Sequence, residues 1–402
     1  MKVNTGHLTY CTNIHAGKNW TEDFEALKLN FPVIKQEVSP DEPMGLGLRL
    51  SNEASVELAN DASLTLFKNW LDETGAYVFT MNGFPYGEFH NTVVKEDVHT
   101  PDWTNESRRD YTIRLFHILK KLLPEGTQGG ISTSPLSYRH WFKSEADLKE
   151  ATEKATLHII DVVKDLIHIY QTTGVVMHLD IEPEPDGILE TGTEFIDWYE
   201  STFYDLAIPI IENSFNVSAK EAKTLLQQHL CLCYDVCHFA IGYEDHESVL
   251  VVLKSKGIKV GKIQISAALK AEMRRSSEEK TEVKKNFGTF NEPTYLHQVV
   301  AKRDEGSVIR YRDLTEALAD FDNTEVSEWR AHFHVPISIK EIGLLESTQD
   351  DILKVLALQQ AEPFTEHLEV ETYTWEVLPQ QLKLPITQSI SSELNWVIDQ
   401  LK

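Results

Sequence analysis

Short runs of β-branched and apolar residues recur along the chain, and segments with helical periodicity separate them. Each run is about four to nine residues long, which is typical of strands. The eight runs cover residues 7–15, 45–50, 76–82, 129–133, 174–182, 230–235, 259–266 and 367–374. Strands that alternate with helices predict βα units and a parallel sheet.

Apolar residues at helical spacing predict the helices between the strands. These helices cover residues 62–73, 107–123, 145–172, 194–211 and 248–256, and residues 389–401 form a closing amphipathic helix. Eight strands with intervening helices favour a closed barrel over an open doubly wound sheet, for which a Gly-x-Gly-x-x-Gly motif after a strand is missing. We therefore predict an α/β fold, a single (β/α)8 TIM barrel over residues 1–402.

The alternation of predicted strands and helices is interrupted between Ala268 and Arg330. Within this stretch, residues 274–285 are charged and have no strand pattern. We therefore predict a loop insertion at about residues 268–330, after the seventh strand. Long insertions in barrels usually cover the active face.

The composition is that of a globular protein, with 41% hydrophobic and 25% charged residues. The formal net charge is −25 at pH 7, and the basic residues are dispersed, so the surface repels a phosphate backbone and we expect no nucleic-acid partner. No stretch approaches the roughly 18 apolar residues of a membrane span, and no signal segment opens the chain. We expect a cytoplasmic protein without a membrane span, with its four cysteines reduced.

Three acidic residues lie where predicted strands end. Glu182 precedes Pro183 at the end of the fifth strand, Asp235 ends the sixth, and Glu371 lies in the eighth. Because the carboxyl ends of barrel strands build the active face, we expect these carboxylates to meet around one divalent cation. A single acid in a strand is more often a structural ion-pair partner, so the convergence of three strands carries this interpretation.

Other polar residues share faces with these acids. Asp180 and Glu369 lie two positions before Glu182 and Glu371, and they are either site residues or structural partners inside the barrel. His332 and His334 are two residues apart before a proline, a recurring spacing of metal ligands. Further pocket candidates are Asn13, His15 and Tyr86.

The Glu-Pro after the fifth strand, the Asp-x-x-His at the sixth and the glutamate of the eighth resemble the xylose isomerase-like barrel superfamily. That superfamily includes sugar and sugar-phosphate isomerases and epimerases, and endonuclease IV. More closely, seven stretches resemble the EboE group of metabolite traffic proteins. They are residues 7–15, 82–90, 131–137, 180–185, 234–238, 332–336 and 369–379. The resemblance spans nearly the whole chain and implies a role in moving or processing a precursor metabolite, with possible pathway partner proteins.

The resemblance also implies a divalent metal (Mn, Mg or Zn) and, by position, its ligands. The metal-binding acids would be Glu182, Asp235 and Glu371, and His238 would be a substrate-side or second-metal histidine. The superfamily usually ends the seventh strand with a histidine, but this chain has Gln264 there. An amide oxygen can still bind a hard cation, and His334 can supply the imidazole instead. The predicted metal ligands are Glu182, Asp235, Gln264, Glu371 and His334.

The leading hypothesis is a metal-dependent isomerase or epimerase-like protein that acts on a small polyhydroxylated or carbonyl metabolite. The metal would polarise a carbonyl and stabilise an enediolate. The superfamily's epimerases imply Glu182 and Glu371 as the catalytic, proton-shuttling pair. Lys262 either contacts an anionic group or pairs with Asp180 or Asp235. The predicted substrate-binding residues are His238, Asn13, His15, Tyr86, His332 and Lys262.

Two other functions compete with this hypothesis. A non-catalytic carrier or assembly partner would use the same pocket to hold a metabolite; Gln264 and the group's name favour it, and the three acids oppose it. An endonuclease-like hydrolase shares the fold but requires a positive groove and more histidine ligands, which the charge of −25 makes a poor match.

Overall fold

The computed structural model describes residues 1–88, 94–273 and 276–402. The end of the stretch 82–90 and the start of the charged stretch 274–285 therefore lie outside the described residues. The strands are β1 (Lys2–Val3), β2 (Gly6–Tyr10), β3 (Met44–Arg49), β4 (Ala76–Asn82), β5 (Gly129–Thr133), β6 (Met177–Ile181), β7 (Leu230–Asp235), β8 (Val260–Ile265), β9 (Leu269–Glu272), β10 (Val299–Arg303), β11 (Val308–Tyr311), β12 (Val326–Ala331), β13 (Glu341–Ile342), β14 (Leu345–Ser347) and β15 (His367–Val370).

The α-helices of the described residues lie mainly between the barrel strands. They are α1 (Trp20–Val38), α2 (Asn52–Leu58), α3 (Asp61–Thr74), α4 (Glu106–Leu122), α5 (Glu145–Thr173), α6 (Gly192–Trp198), α7 (Tyr204–Phe215), α8 (Ala219–His229), α9 (Val236–Ile241), α10 (His246–Lys256), α11 (Ser277–Gly288), α12 (Leu314–Ala319), α13 (Gln349–Ala361) and α14 (Ile386–Gln400). No helix of the described residues has the length and apolar character that a membrane crossing requires.

Eight strands form a barrel of parallel pairs. The sheet runs β1-β2-β15-β8-β7-β6-β5-β4-β3, and only the short β1 is antiparallel to its neighbour. An isolated parallel bridge between Cys11 and Gly47 joins the two ends of this sheet. A Cβ atom on Gly47 would overlap the Glu369 carboxylate and lie 2.7 Å from the carbonyl oxygen of Tyr10, so this seam requires a glycine. The predicted (β/α)8 barrel is confirmed, and each predicted strand segment contains or overlaps one barrel strand.

The helices begin and end where local capping chemistry sets their limits. Helix α5 starts after Ser144, whose side chain accepts a hydrogen bond from the backbone N–H of Asp147, and it stops before Gly174, which has φ of 76°. The predicted helix 194–211 is two helices, α6 and α7, joined by the π-helical turn Tyr199–Phe203. The predicted closing helix corresponds to α14.

The segment between β8 and α13, where we predicted an insertion, contains a second sheet together with α11 and α12. Six strands pair antiparallel in the order β11-β10-β12-β9-β14-β13. These strands are only two to six residues long. Strands β10–β11 and β13–β14 are short hairpins, whereas β9 pairs with β12 and β14, which are distant in sequence. Between β12 and β13, the backbone N–H of Val335 donates to the carbonyl oxygen of Ala267 (3.0 Å), which joins this segment to the residues after β8.

Candidate functional site

Three acidic side chains meet at the carboxyl end of the barrel. Glu182 follows β6, Asp235 ends β7 and Glu371 follows β15. One carboxylate oxygen from each residue lies within 4.8 Å of the other two. The three residues are 4%, 0% and 4% exposed. We call these three residues the acid trio.

Neutral donors hold the acid trio in place. The amides of Asn13 and Asn82 both donate to Glu371 Oε1, at 2.7 and 2.8 Å. Asp235 Oδ1 accepts hydrogen bonds from Ser266 Oγ (2.6 Å) and from the backbone N–H of His238 (3.2 Å). The second oxygen of Asp235 has no hydrogen-bond partner among the described residues. Each fixed carboxylate therefore keeps oxygen lone pairs for a ligand.

Burial next to other acids leaves the trio without charge compensation. Desolvation, followed by repulsion from neighbouring carboxylates, raises the pKa of Glu182 and of Glu371 well above the usual range. In the part of the chain that the structure describes, no lysine or arginine forms an ion pair with any member of the trio. Buried carboxylates without a paired cation are costly, so this arrangement fits a bound divalent cation.

Three histidines present the same nitrogen to this site. In each ring, Nδ1 contacts an oxygen that can only accept a hydrogen bond, so Nδ1 carries the proton and Nε2 keeps its lone pair. A histidine oriented in this way by its other nitrogen is arranged like a typical metal ligand. The contacts are His238 Nδ1 to Pro183 O (3.0 Å), His332 Nδ1 to Gln298 Oε1 (2.8 Å) and His334 Nδ1 to Glu371 O (2.9 Å).

The free nitrogens of these histidines converge. His238 Nε2 and His332 Nε2 are 3.1 Å apart, so two lone pairs face each other unless a proton or a cation lies between them. Burial disfavours a shared proton, because desolvation lowers the pKa of both rings and lowers that of His334 to about 4. His334 Nε2 has no hydrogen-bond partner among the described residues. Its ligand atom lies within 4.8 Å of those of Asp235 and His238.

A cavity of about 610 Å³, measured out to its mouth, opens over the acid trio. Glu184 lies in its wall, and its Oε1 is 3.1 Å from His99 Nε2. Of the residues predicted from the sequence, those that line this cavity are Asn13, Glu182, His238, His332, His334 and Glu371. Asp235 lies beside them, within ligand distance of Glu182 and Glu371.

Two predicted pocket residues lie elsewhere. His15 contacts the Tyr10 hydroxyl through Nε2 (3.2 Å), because the chain leaves the extended conformation in the 3-10 helix Thr12–Ile14 and strand alternation ends there. Tyr86 packs against the ring of Tyr111, 5.0 Å between centroids, on the far side of the turn at Pro85. Neither side chain lines the cavity.

The roles predicted for Lys262 and Gln264 also require correction. Lys262 is fully buried one layer below the trio, where its Nζ pairs with Glu369 Oε2 (2.7 Å) and not with Asp180 or Asp235. It does not line the cavity. Gln264 turns its amide nitrogen to Glu371 Oε2, while its oxygen accepts a hydrogen bond from the Cys233 thiol (2.6 Å). Gln264 therefore positions Glu371 and does not direct an oxygen to the cation site.

Other residues of the site were not among the sequence candidates. Asn82 ends β4 and had the same strand-end position as the acids, so the sequence did contain a signal for it. Glu184 stands two residues after Glu182 in the Glu-Pro-Glu-Pro stretch. No sequence pattern marked His99 or Gln298, because the loops that bring them to the cavity have no periodicity.

No protein-family model and no curated protein matches the chain. Similar solved structures include the IolI protein with a bound zinc atom, with 14% identity and a TM-score of 0.46 over 98% of this chain and 99% of that chain. They also include a xylose isomerase-like TIM-barrel protein from Mycobacterium smegmatis in complex with magnesium, with 9% identity and a TM-score of 0.49 over 100% and 98% of the two chains. A xylose isomerase domain-containing protein from Salmonella typhimurium has 12% identity and a TM-score of 0.44 over 100% and 99%.

Proposed function

We propose that this protein is a divalent-metal-dependent isomerase or epimerase-like enzyme that acts on a small polyhydroxylated or carbonyl metabolite. The observation that best supports the proposal is the acid trio. Its three carboxylates, from three different strands, lie within 4.8 Å of one another and are buried. A purely structural network would pair such carboxylates with lysine or arginine, as the barrel does for Glu369.

The metal would be held by the acid trio together with His334. These residues offer hard oxygen donors and one neutral imidazole, a set that suits Mn²⁺ or Zn²⁺ and tolerates Mg²⁺. The free lone pairs of Asp235 Oδ2 and His334 Nε2 support this assignment. A divalent metal bound there would supply electrostatic stabilisation of negative charge that develops on a substrate oxygen.

Glu182 and Glu371 are the proposed proton-transfer pair. One carboxylate would accept a proton from a carbon next to a carbonyl, and the other, once protonated, would return a proton to the substrate. Two amide donors fix Glu371 Oε1, which keeps that carboxylate in one orientation during the transfer. Cavity access is consistent with this role, because both residues contribute to the wall.

The cavity wall suits a neutral, hydroxyl-rich substrate. Its polar groups are mostly amides, imidazoles and phenols, which donate and accept hydrogen bonds as sugar hydroxyls require. The described part of the wall contains one lysine, Lys95, and its Nζ pairs with Asp313 Oδ2 at 2.5 Å. His238 and His332 would orient substrate oxygens if they do not bind the cation.

Proton transfer can be tested before the natural substrate is identified. The Mn²⁺-loaded protein is incubated in D2O with a panel of unphosphorylated aldoses and ketoses, and deuterium at carbon is measured by mass spectrometry. We expect exchange with at least one member, and loss of about 100-fold or more in rate for Glu182→Gln and Glu371→Gln. The control is Glu244→Gln, because Glu244 is a half-buried acid that accepts a hydrogen bond from Gly192 N (3.0 Å) outside the site.

The same experiment separates the enzyme from the carrier. Saturable binding of a panel member without any exchange would contradict the enzyme and favour the non-catalytic carrier. Equal exchange rates in the wild type and in both glutamine variants would remove the proposed proton pair. The EboE resemblance, the cytoplasmic location and the pathway partner proteins stay predictions from the sequence.

A further inference from the structure

A second group of potential metal ligands lies at the opposite end of the barrel, near the starts of the strands. His178 and Asp180 lie in β6, Cys231 in β7 and His367 at the start of β15. One ligand atom from each of the first three residues lies within 4.8 Å of the other two. The four residues are 6%, 0%, 1% and 1% exposed. The active-site chemistry uses none of them.

Two atoms of this group lack hydrogen-bond partners. Among the described residues, neither Asp180 Oδ2 nor His367 Nδ1 has one. Both atoms lie next to Gly130, where a Cβ atom would be 2.4 Å from His178 Cε1, 2.8 Å from Asp180 Oδ2 and 2.9 Å from His367 Nδ1. The absence of a side chain at Gly130 therefore lets the side chains of His178, Asp180 and His367 come together.

The remaining hydrogen bonds direct lone pairs into the group. His367 Nε2 contacts the carbonyl oxygen of Gln128 (3.2 Å), so Nε2 carries the proton and Nδ1 keeps its lone pair. His178 Nδ1 contacts Asp180 Oδ1 (2.6 Å), and a bound cation would replace the proton that these two atoms share.

Buried polar atoms without a partner are unfavourable. A bound cation would supply a partner for Asp180 Oδ2 and His367 Nδ1, and it would bind the carboxylate and the Cys231 thiolate in their charged forms.

We propose that His178, Asp180, Cys231 and His367 form a structural zinc site at the amino end of the barrel. Imidazole nitrogen, carboxylate oxygen and thiolate sulfur together are characteristic zinc donors, whereas Mg²⁺ and Ca²⁺ prefer oxygen alone. The ion would join β6, β7 and β15 on the side of the barrel away from the cavity. A cleft at that end reaches three of the ligands, His178, Cys231 and His367, and provides a route for the ion.

The test uses the full chain with two ligands of the proposed active-site metal, Glu182 and Glu371, replaced. The Glu182→Gln/Glu371→Gln protein is loaded with Zn²⁺, dialysed, and analysed by plasma emission spectroscopy and X-ray absorption. We expect about one retained zinc per chain with one sulfur neighbour at about 2.3 Å. Adding Cys231→Ser, which removes a ligand, should weaken zinc binding by more than the about 10-fold to 100-fold that loss of an outer-shell partner costs. Adding Cys237→Ser, which removes the thiol within ligand distance of His332 and His334, should leave it unchanged.

Failure of this site is distinguishable from failure of the active site. No retained zinc, or zinc without a sulfur neighbour, in the folded Glu182→Gln/Glu371→Gln protein would overturn the proposal. Equal zinc affinity with and without Cys231→Ser would overturn it as well. Where Cys231→Ser fails to fold, the absorption measurement on the Cys237→Ser protein decides, because a sulfur neighbour that persists there does not come from the thiol beside His332 and His334. Sugar exchange by the Mn²⁺-loaded wild type does not depend on any of these results.

Discussion

Lys262 and Glu369 form a fully buried ion pair in the middle of the barrel. Besides the carboxylate, Lys262 Nζ donates to the carbonyl oxygen of Met81 (3.1 Å) and to Ser132 Oγ (3.2 Å), so its three N–H groups are all used. Attraction to Glu369 offsets desolvation, and the lysine therefore stays charged. The pair supports the layer directly beneath the acid trio.

Replacing one partner of the Lys262–Glu369 pair should lower the free energy of unfolding far more than replacing both. We expect Lys262→Met to lower the free energy of unfolding by about 3–5 kcal/mol, because it leaves Glu369 buried without a counterion. The double change Lys262→Met/Glu369→Gln should recover a large part of that loss. Urea unfolding of the wild type, both single variants and the double variant at neutral pH measures the coupling.

An exposed ion pair serves as the control for this cycle. Lys254 and Glu362 have side chains that are 70% and 72% exposed. We expect Lys254→Met to leave the urea midpoint unchanged, since solvent screens such a pair. A Lys262→Met protein as stable as the wild type would show that Glu369 takes up a proton at little cost, and that the buried pair is dispensable.

At the scale of elements, one buried glutamate fastens the last helix to the barrel. Glu393 in α14 accepts hydrogen bonds at Oε1 from Ile337 N (3.0 Å) and from Thr372 Oγ1 (2.8 Å). It thereby ties α14 both to the segment after His334 and to the segment after β15. Burial raises the pKa of Glu393 from 4.5 to about 7.

This raised pKa predicts a pH dependence of stability. The folded state holds a proton on Glu393 that the unfolded state has released above pH 4.5, so the contribution is present at low pH and is lost as the pH rises through about 7. The shift from 4.5 to about 7 corresponds to roughly 3 kcal/mol. Glu393→Gln keeps the accepting oxygen and removes the titration.

We therefore expect Glu393→Gln to be stabilised relative to the wild type as the pH is raised from about 5 to about 8. Urea unfolding at the two pH values measures the difference, and other titrating groups cancel in the comparison. Equal changes with pH in the free energy of unfolding of both proteins would contradict the prediction. They would mean that Glu393 is ionised in the folded protein and that its two hydrogen bonds suffice to stabilise the charge.

The elements show why some features can be predicted from the sequence. The barrel strands are followed by helices with clear apolar faces, so βα units are visible locally, and each strand end fixes where Glu182 and Asp235 lie. Helix α1 was not predicted, and Pro32 interrupts its pattern. The strands of the second sheet were not predicted either, because strands of two to six residues are too short to show a clear alternation.

The residues of the candidate site also divide into those that could and those that could not be placed from the sequence. Residues on strands or directly after them could be placed by alternation, whereas His15 and Tyr86 lie beyond turns that alternation does not describe. The hydrogen bonds of Lys262 and Gln264 depend on which neighbour lies opposite in the barrel interior. Register between strands sets those neighbours, and it includes an irregularity between β7 and β8.

For the whole molecule, ionisable groups are layered along the barrel axis. The proposed zinc ligands lie at the amino end, the neutralised Lys262–Glu369 pair lies in the middle, and the acid trio lies under the cavity. The second sheet contributes to the uppermost layer, since Gln298 and His332 directly adjoin β10 and β12 and are joined by a backbone hydrogen bond (2.8 Å). We therefore expect that His332 reaches its place beside His238 and His334 only when the second sheet is folded.

The acid trio links the stability of the whole barrel to pH and to metal. In the metal-free protein, the raised pKa values of Glu182 and Glu371 mean that the folded state binds more protons than the unfolded state above pH 4.5. Stability from these groups is lost as the pH rises. The buried histidines act in the opposite direction, but only below their unfolded pKa of about 6.5, so from about pH 7 to pH 8.5 they contribute no opposing change. Comparison with Glu182→Gln/Glu371→Gln separates the trio from other buried acids with a raised pKa, such as Glu184 and Glu393.

A metal should reverse this trend, because it binds the deprotonated carboxylates. With EDTA, we expect the Tm to fall between about pH 7 and pH 8.5. With excess Mn²⁺ in place of EDTA, we expect an added stability that grows with pH and reaches about 2.7 kcal/mol when free Mn²⁺ is 100 times its Kd. Glu182→Gln/Glu371→Gln should flatten both curves. A Mn²⁺ effect of equal size at both pH values, or one that survives the double substitution, would place the metal away from the trio, whose carboxylates would then have to be protonated in the working protein.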